Sequence, residues 1–378
     1  MSHCRRVVRA ARCHLYVSLA LAASAASLAA QSWTDKLSIH GYITQGAAKA
    51  DTGVVIGIPK DGTTDYRRVA LLLRYAATAN DRFVLQIAQR RLGDSPSDQF
   101  EENVKIDWAF YERQLTGTTR LRVGRVPLPL GIYNEIRYVG TLLPFYRAPY
   151  DIYSDGTFTS ETVDGLELMQ TVWPSSPWRL ELKAFGGSYT LIQAASFPDS
   201  TGTLQYHIGQ ERAEDVVGGQ GWLSTPLVGL RVGFGGQRYT SKGGPFGGPN
   251  DKEAVETWQA SVDETSDWGQ IRGEYRYLKA GGFHIHAFYV QAGARVWGPF
   301  HVNGQFEYEH FDDTELVNPV HTAQDRDRAV GVSCFVSSSL VVKLEGHFTR
   351  GHNLEDPVAR NSPLIDNRYG IASLSMSF

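Results

Sequence analysis

Cysteine is scarce in this chain: Cys4, Cys13 and Cys334 among 378 residues. Two of the three lie near the start, in a stretch read below as a leader. The remaining single thiol excludes an intrachain disulfide framework. Long apolar runs are missing after residue 30, where nothing reaches the roughly 20 residues that a membrane-spanning helix needs. Charge of one sign is missing too. With 37 basic and 40 acidic residues, the chain has no electrostatic footprint for nucleic acid. Nucleotide loops are absent: Gly218-Gly219-Gln220-Gly221 and Gly243-Gly244 precede no lysine-serine pair. No Ser, His and Asp spacing marks a nucleophile with its base. His284, His286 and His301 have no cysteine or acidic ligand fixed beside them. The expectation is therefore no catalytic residue, no metal and no cofactor.

The first thirty residues read differently from the rest. Arg5, Arg6, Arg9 and Arg12 form a cationic flank without an acid, and an apolar run follows from about Leu15 to Leu28. Small residues close it at Ala29-Ala30. That order describes a secretory signal peptide, predicted as residues 1–30 with 31–378 as the mature part. Without the four arginines, 33 basic face 40 acidic residues, a net charge of −7.

What the remainder has in abundance is alternation. Sixteen segments of about ten residues carry a period of two, the length of a tilted strand crossing a bilayer. They run over 36–47, 66–79, 82–92, 104–115, 120–126, 163–172, 178–186, 216–224, 230–239, 254–263, 270–279, 284–297, 300–311, 328–336, 340–349 and 368–378. Short connections alternate with long ones, 280–283 excepted. The longer ones are 48–65, 93–103, 127–162, 187–215, 240–253, 312–327 and 350–367. Glycine and proline gather in these connections, as turn chemistry requires.

The faces of the segments are chemically distinct. Val69, Leu71, Leu73 and Tyr75 oppose Arg68 and Arg74. Phe83, Leu85 and Ile87 oppose Arg82, Gln86 and Arg90. Val104, Ile106, Trp108 and Phe110 oppose Lys105, Asp107, Tyr111 and Arg113. Leu340, Val342, Leu344 and Phe348 oppose Lys343, Glu345 and His347. Trp173, Trp178, Trp222, Trp268 and Trp297 sit in or beside short turns, as an aromatic girdle at a membrane interface would. The last strand places Ala372, Leu374, Met376 and Phe378 on one face and Ser373, Ser375 and Ser377 on the other. Ending on phenylalanine, it resembles the assembly signal of bacterial outer-membrane β-barrels. The predicted fold is all-β: a 16-stranded antiparallel transmembrane β-barrel in the bacterial outer membrane, with both termini on the short-turn side.

The connection 127–162 is the third outer loop and the longest. Leu142, Leu143, Phe145, Tyr146, Tyr150 and Ile152 make it too apolar to hang in solvent. A barrel of this size has room for it, so the loop is expected to fold inward and narrow the lumen. The segment Leu121-Arg-Val-Gly-Arg-Val-Pro-Leu-Pro-Leu-Gly131 resembles the glycine–basic–aromatic–Pro-Phe-Gly motif of the phosphate-selective porin O/P family, with Val126 at the aromatic position and Leu130 at the Phe. That resemblance implies a trimeric sixteen-stranded barrel, a third loop that constricts the channel, and passive passage of small hydrophilic solutes, with anions such as phosphate as the specific version. The alternative is a nonconducting structural or surface-binding barrel. The lumen and constriction candidates are Arg74, Arg90, Lys105, Arg113, Arg120 and Arg122 on the polar parity of strands two to five, with Arg125, Glu135, Arg137 and Arg147 from the loop. Residues 31–150 carry a net +4 and 151–378 a net −11, so a basic strip is expected to face an acidic one. Expected partners are outer-membrane lipid, small hydrophilic solutes or anions and two further copies of the chain in a homotrimer, with no nucleic acid.

Overall fold

A computed structural model describes residues 35–95, 103–154, 160–198, 204–243, 252–313, 320–351 and 365–378. The predicted signal peptide lies outside the described residues. Sixteen antiparallel strands close into one barrel. They are β1 Leu37–Ala50, β2 Thr63–Ala76, β3 Asp81–Leu92, β4 Lys105–Gln114, β5 Thr119–Pro127, β6 Thr162–Val172, β7 Arg179–Pro198 and β8 Leu204–Ser224. The second half is β9 Leu230–Gly243, β10 Lys252–Ser266, β11 Gly269–Ala280, β12 Phe283–Trp297, β13 Phe300–Asp313, β14 Val320–Ser337, β15 Leu340–Gly351 and β16 Ile365–Ser377. A two-residue-strand hairpin, Val54–Val55 with Ile58–Pro59, decorates the connection after β1.

Closure is made by the two ends of the chain. β16 pairs with β1 in the register Ala47↔Ala372 and Ile43↔Met376. Gly41 and Phe378 exchange backbone bonds of 2.9 and 3.0 Å. The Phe378 ring lies where a Gly41 side chain would stand, 2.6 Å from an ideal Cβ, so the seam depends on that glycine. Closure leaves no sheet edge, the condition for placing strands in a medium that cannot hydrogen-bond them. Outward positions are apolar and exposed, as at Phe83, Leu344, Phe348, Leu374 and Val330. Inward positions are polar and buried, as at Arg68, Arg90, Glu307, Lys343 and Ser375.

Three expectations are corrected. The stretch 187–215 is mostly strand, because β7 and β8 continue into a tall hairpin. Trp222 points inward at 6% exposure, with the Arg231 guanidinium 4.4 Å from its ring centroid, whereas Trp173, Trp178, Trp268 and Trp297 are exposed near short turns. In β4, Gln86 pairs with Trp108 but Ile87 with Ile106, so Asp107 is an extra residue. This β-bulge reverses the parity beyond it. Trp108 and Phe110 turn inward, opposite Gln86 and Val84, and Tyr111 and Arg113 turn outward, opposite Phe83 and Asp81.

Candidate functional site

The interior is organised by the segment after Pro127. Its base is tied where the Leu128 N–H donates to Glu161 O at 2.8 Å and Asn134 Nδ2 donates to Leu128 O at 2.7 Å. Gly131 turns the chain inward with φ +65°, and an added Cβ would lie 2.3 Å from both Gln259 Nε2 and Tyr153 Oη. Successive tight turns follow, with Ile136 N–H donating to Tyr133 O, Val139 to Ile136 and Leu142 to Val139. Pro149 then starts a single helical turn, Tyr150–Tyr153, which stops at Ser154 with φ 49°. Of the segment's aromatic and aliphatic side chains, Leu128, Tyr133, Phe145, Tyr146 and Ile152 are at most 1% exposed, whereas Leu142, expected to need burial, is 53% exposed. The expected inward fold is therefore what the chain adopts, and apolar burial holds it there.

One side of the segment meets the basic wall. Arg90 Nη2 lies 2.9 Å from Asp107 and 2.5 Å from Glu161, with its guanidinium 3.8 Å from the Tyr138 ring centroid. Tyr138 also donates its hydroxyl to Glu161. Burial alone would raise the Glu161 pKa, but Arg90, Arg137 and Lys105 outweigh it and hold the carboxyl down at about 2. Arg68 Nη1 donates to Tyr146 O at 3.1 Å, and its guanidinium packs on the Tyr138 and Tyr146 rings. A void of only about 20 Å³, lined by Tyr42, Gln86, Asp107, Trp108, Arg137 and Glu161, remains between segment and wall. That is room for about one water.

The other side meets the acidic wall. Glu274 accepts from the Ile132 N–H at 2.8 Å, from Ser261 at 2.6 Å, from Tyr289 at 2.9 Å and from the Tyr153 hydroxyl. Arg276 donates to Ile152 O and Asp151 O at 2.6 and 2.8 Å. Glu307 accepts from the Asp151 N–H at 3.0 Å and Glu345 from the Tyr146 N–H at 2.7 Å. Lys343 Nζ donates to Gly140 O and Phe145 O at 2.6 and 2.8 Å. Burial and the neighbouring Asp325, Glu307, Glu309 and Asp327 push the Asp151 carboxyl well above the usual carboxylate range. Buried polar groups are thus matched by the polar backbone of the segment, which removes most of the cost of enclosing them.

The sequence-predicted residues divide into groups. Arg90, Arg137 and Arg147 are buried around the segment, and Lys105 lies near Asp107 and Glu161. Arg137 is turned back on its own loop, donating to Tyr153 O at 2.6 Å. Arg147 packs 5.5 Å from the Tyr66 ring. Glu135 is ion-paired with Lys183. Arg122 bridges Glu112 and Glu167 at 2.8 and 3.0 Å. Arg74 and Arg120 face inward near the short-turn mouth, in register with Val84 and Gln114. Arg113 and Arg125 are corrections. Arg113 faces outward because of the bulge at Asp107 and pairs with Asp81 at 3.1 Å. Arg125 belongs to β5 rather than the loop, on the outward parity, with a two-pronged bond to Asp164 at 2.7 and 2.9 Å. Sequence reasoning did not single out Glu161, Glu274, Arg276 or Lys343 as anchors. The alternation Arg272-x-Glu274-x-Arg276 marked a charged inward face, but not that a loop would dock on it.

No protein-family model matches the chain, and no curated protein is similar to it in sequence. The resemblance of Leu121–Gly131 to the phosphate-selective porin O/P family therefore stands on that motif alone. Solved structures share the fold across nearly the whole chain. OmpT, an outer membrane protein of Vibrio cholerae in its trimer form, is similar with a TM-score of 0.57 and 13% identity, over 90% of this chain and 99% of that one. The outer membrane channel DcaP of Acinetobacter baumannii gives 0.58 and 10%, over 90% and 97%. An anion-selective porin from Comamonas acidovorans gives 0.55 and 9%, over 90% and 99%. What these proteins share with this chain is the fold.

Proposed function

We propose that the chain is an outer-membrane channel in which small hydrophilic solutes diffuse passively through a lumen throttled by the segment 128–161. The observation that carries this reading is the pinning of that segment between opposed walls, Arg68 and Arg90 on one and Glu274, Glu307 and Glu345 on the other. A transverse field of this kind orders water and favours polar solutes over apolar ones. The predicted signal peptide and the apolar outer wall fit residence in the outer membrane, and the trimeric OmpT structure makes a homotrimer the natural assembly.

Anion preference, with phosphate as one candidate solute, is assigned to the short-turn mouth. There Arg74 is exposed, and neither it nor Arg120 has an ion pair among the described residues. Deeper in, the arginines of a phosphate ladder are already engaged: Arg90 and Arg122 by carboxylates, Arg68 by a carbonyl. The preference is therefore modest. A nonconducting barrel is the second reading, favoured by the same segment touching both walls. Planar-bilayer recording separates the two. Small, discrete conductance steps are expected; silence from the native protein and from a variant with residues 136–150 shortened would sink the channel reading.

A further inference from the structure

On its long-connection edge the outer wall is not evenly charged. Arg328, Phe348 and Arg368 form one outward row across β14, β15 and β16. The next row toward the edge holds Arg326, Arg350 and Asp366. Lys49 continues the belt on β1, beside Gly370 of β16. Arg326 and Arg350 are direct cross-strand partners, with the Arg326 guanidinium 5.6 Å from the Tyr308 ring centroid. Among the described residues the carboxylates on the same stretch are few. Asp366 reaches Arg350 at 3.8 Å and Asp51 faces Arg368. Arg328 and Lys49 have no carboxylate partner among the described residues.

The opposite side of the barrel contrasts with this. There Arg212 pairs with Glu214 and Arg238 with Glu256. Beside the basic belt the wall is also indented. Ala47, Gly370 and Ala372 present almost no side chain, and a trough of about 590 Å³ lies between them, Leu344 and residues 61–64, Asp61 included. Immediately below are exposed Leu344, Leu374 and Met376.

We propose that this sector of β14–β16 and β1 is a binding site for a phosphorylated lipid of the outer leaflet. Arg328, Arg350, Arg368 and Lys49 receive its phosphates, and the trough seats an acyl chain. The level is right: the cations stand just above an apolar band, where headgroup phosphates lie, and each basic residue near an anionic bilayer surface adds to the attraction. Arginine also matches phosphate geometrically, with two parallel donors. The inference rests on the membrane reading above but not on conduction.

The test is a titration of the purified barrel, in phosphatidylcholine nanodiscs, with lipid A carrying both phosphates. The native protein is compared with Arg328→Gln/Arg350→Gln/Arg368→Gln and with the control Arg212→Gln/Arg238→Gln. Far-ultraviolet circular dichroism confirms that each barrel is folded. At about 1 kcal/mol per basic residue, the triple variant should lose about a hundredfold in affinity, and the control should lose nothing. Equal loss in the control, an unchanged triple variant, or equal binding of dephosphorylated lipid would overturn the assignment. So would displacement by inorganic phosphate at matched phosphate concentration, which would mark a free-anion site. A change in oligomer mass with unchanged lipid binding would reassign the face to a contact between copies. A barrel that binds the lipid but conducts nothing would refute the channel and leave this site standing.

Discussion

Arg90 and Glu161 lie 2.5 Å apart, joining the wall strand β3 to the last residue of the inward segment. Both are shielded, at 2% and 14% side-chain exposure. Removing one partner leaves the other charge enclosed, a loss of about 3–5 kcal/mol for a buried pair. Arg90→Ala should therefore release the base of the segment and raise single-channel conductance. Conductance equal to the native value would show that the pair does not hold the segment.

The same pair predicts a pH profile. The Glu161 carboxyl is held at about 2 against an ordinary 4.5. A depressed folded-state pKa contributes its full stabilisation above the ordinary value and loses it as pH falls toward the folded one. The segment should stay docked from neutral pH down to about 4.5 and loosen between there and about 2. Recordings across that range should show conductance rising only at the acid end. Glu161→Gln should show no such acid transition.

Gly131→Ala tests the turn that brings the segment inside. The φ of +65° costs an alanine about 1–2 kcal/mol, and its methyl would press on Gln259, Tyr153 and the Glu274 carboxylate. The segment should shift as a whole, seen as faster proteolysis within 128–161 and a broadened conductance distribution. A native cleavage pattern and a single conductance would mean that the turn adapts.

The sixteen staves were legible because strand periodicity survives wherever one wall is apolar and the other wet. The inward segment was legible because Leu143, Phe145 and Tyr146 have no stable place in solvent and are buried, although Leu142, read the same way, is 53% exposed. Its docking partners were not. Lys343 and Glu274 look like any inward charge on an alternating strand, and nothing local says that Gly140 O or the Ile132 N–H will meet them. The direction of Arg113 was hidden for a different reason. One bulged residue at Asp107 inverts every later side chain of β4, and a bulge has no composition signal there. Arg125 was misplaced because it was counted with the loop although the fifth segment, 120–126, already ran through it, and alternation along that strand turns it outward.

Lys343→Met probes the far end of the segment. The methionine keeps the length of the side chain but loses both donors, leaving Gly140 O and Phe145 O without them. Unsatisfied buried carbonyls cost about 1–3 kcal/mol each. The tip 140–146 should loosen while the barrel itself stays closed, because the β15 ladder does not use this side chain. Heat-resistant barrel mobility on a gel with raised conductance is the expected pair of results. Loss of the folded band would instead place Lys343 in barrel stability.

The directions of four arginines make a prediction about selectivity, and one of those directions, that of Arg113, is set by the parity reversal at Asp107. Arg74 and Arg120 face the lumen at the short-turn mouth, while Arg113 and Arg125 face outward against Asp81 and Asp164. Reversal potentials in a salt gradient report which charges a permeating ion meets. Arg74→Glu/Arg120→Glu should move the reversal potential toward cations, most at low salt, where screening extends only over a longer Debye length. Arg113→Gln/Arg125→Gln should leave it unchanged, because the barrel wall separates those side chains from the ion path. If the outward pair moved the potential and the inward pair did not, the side-chain directions of all three strands would be wrong, and the assignment of the mouth would fall with them.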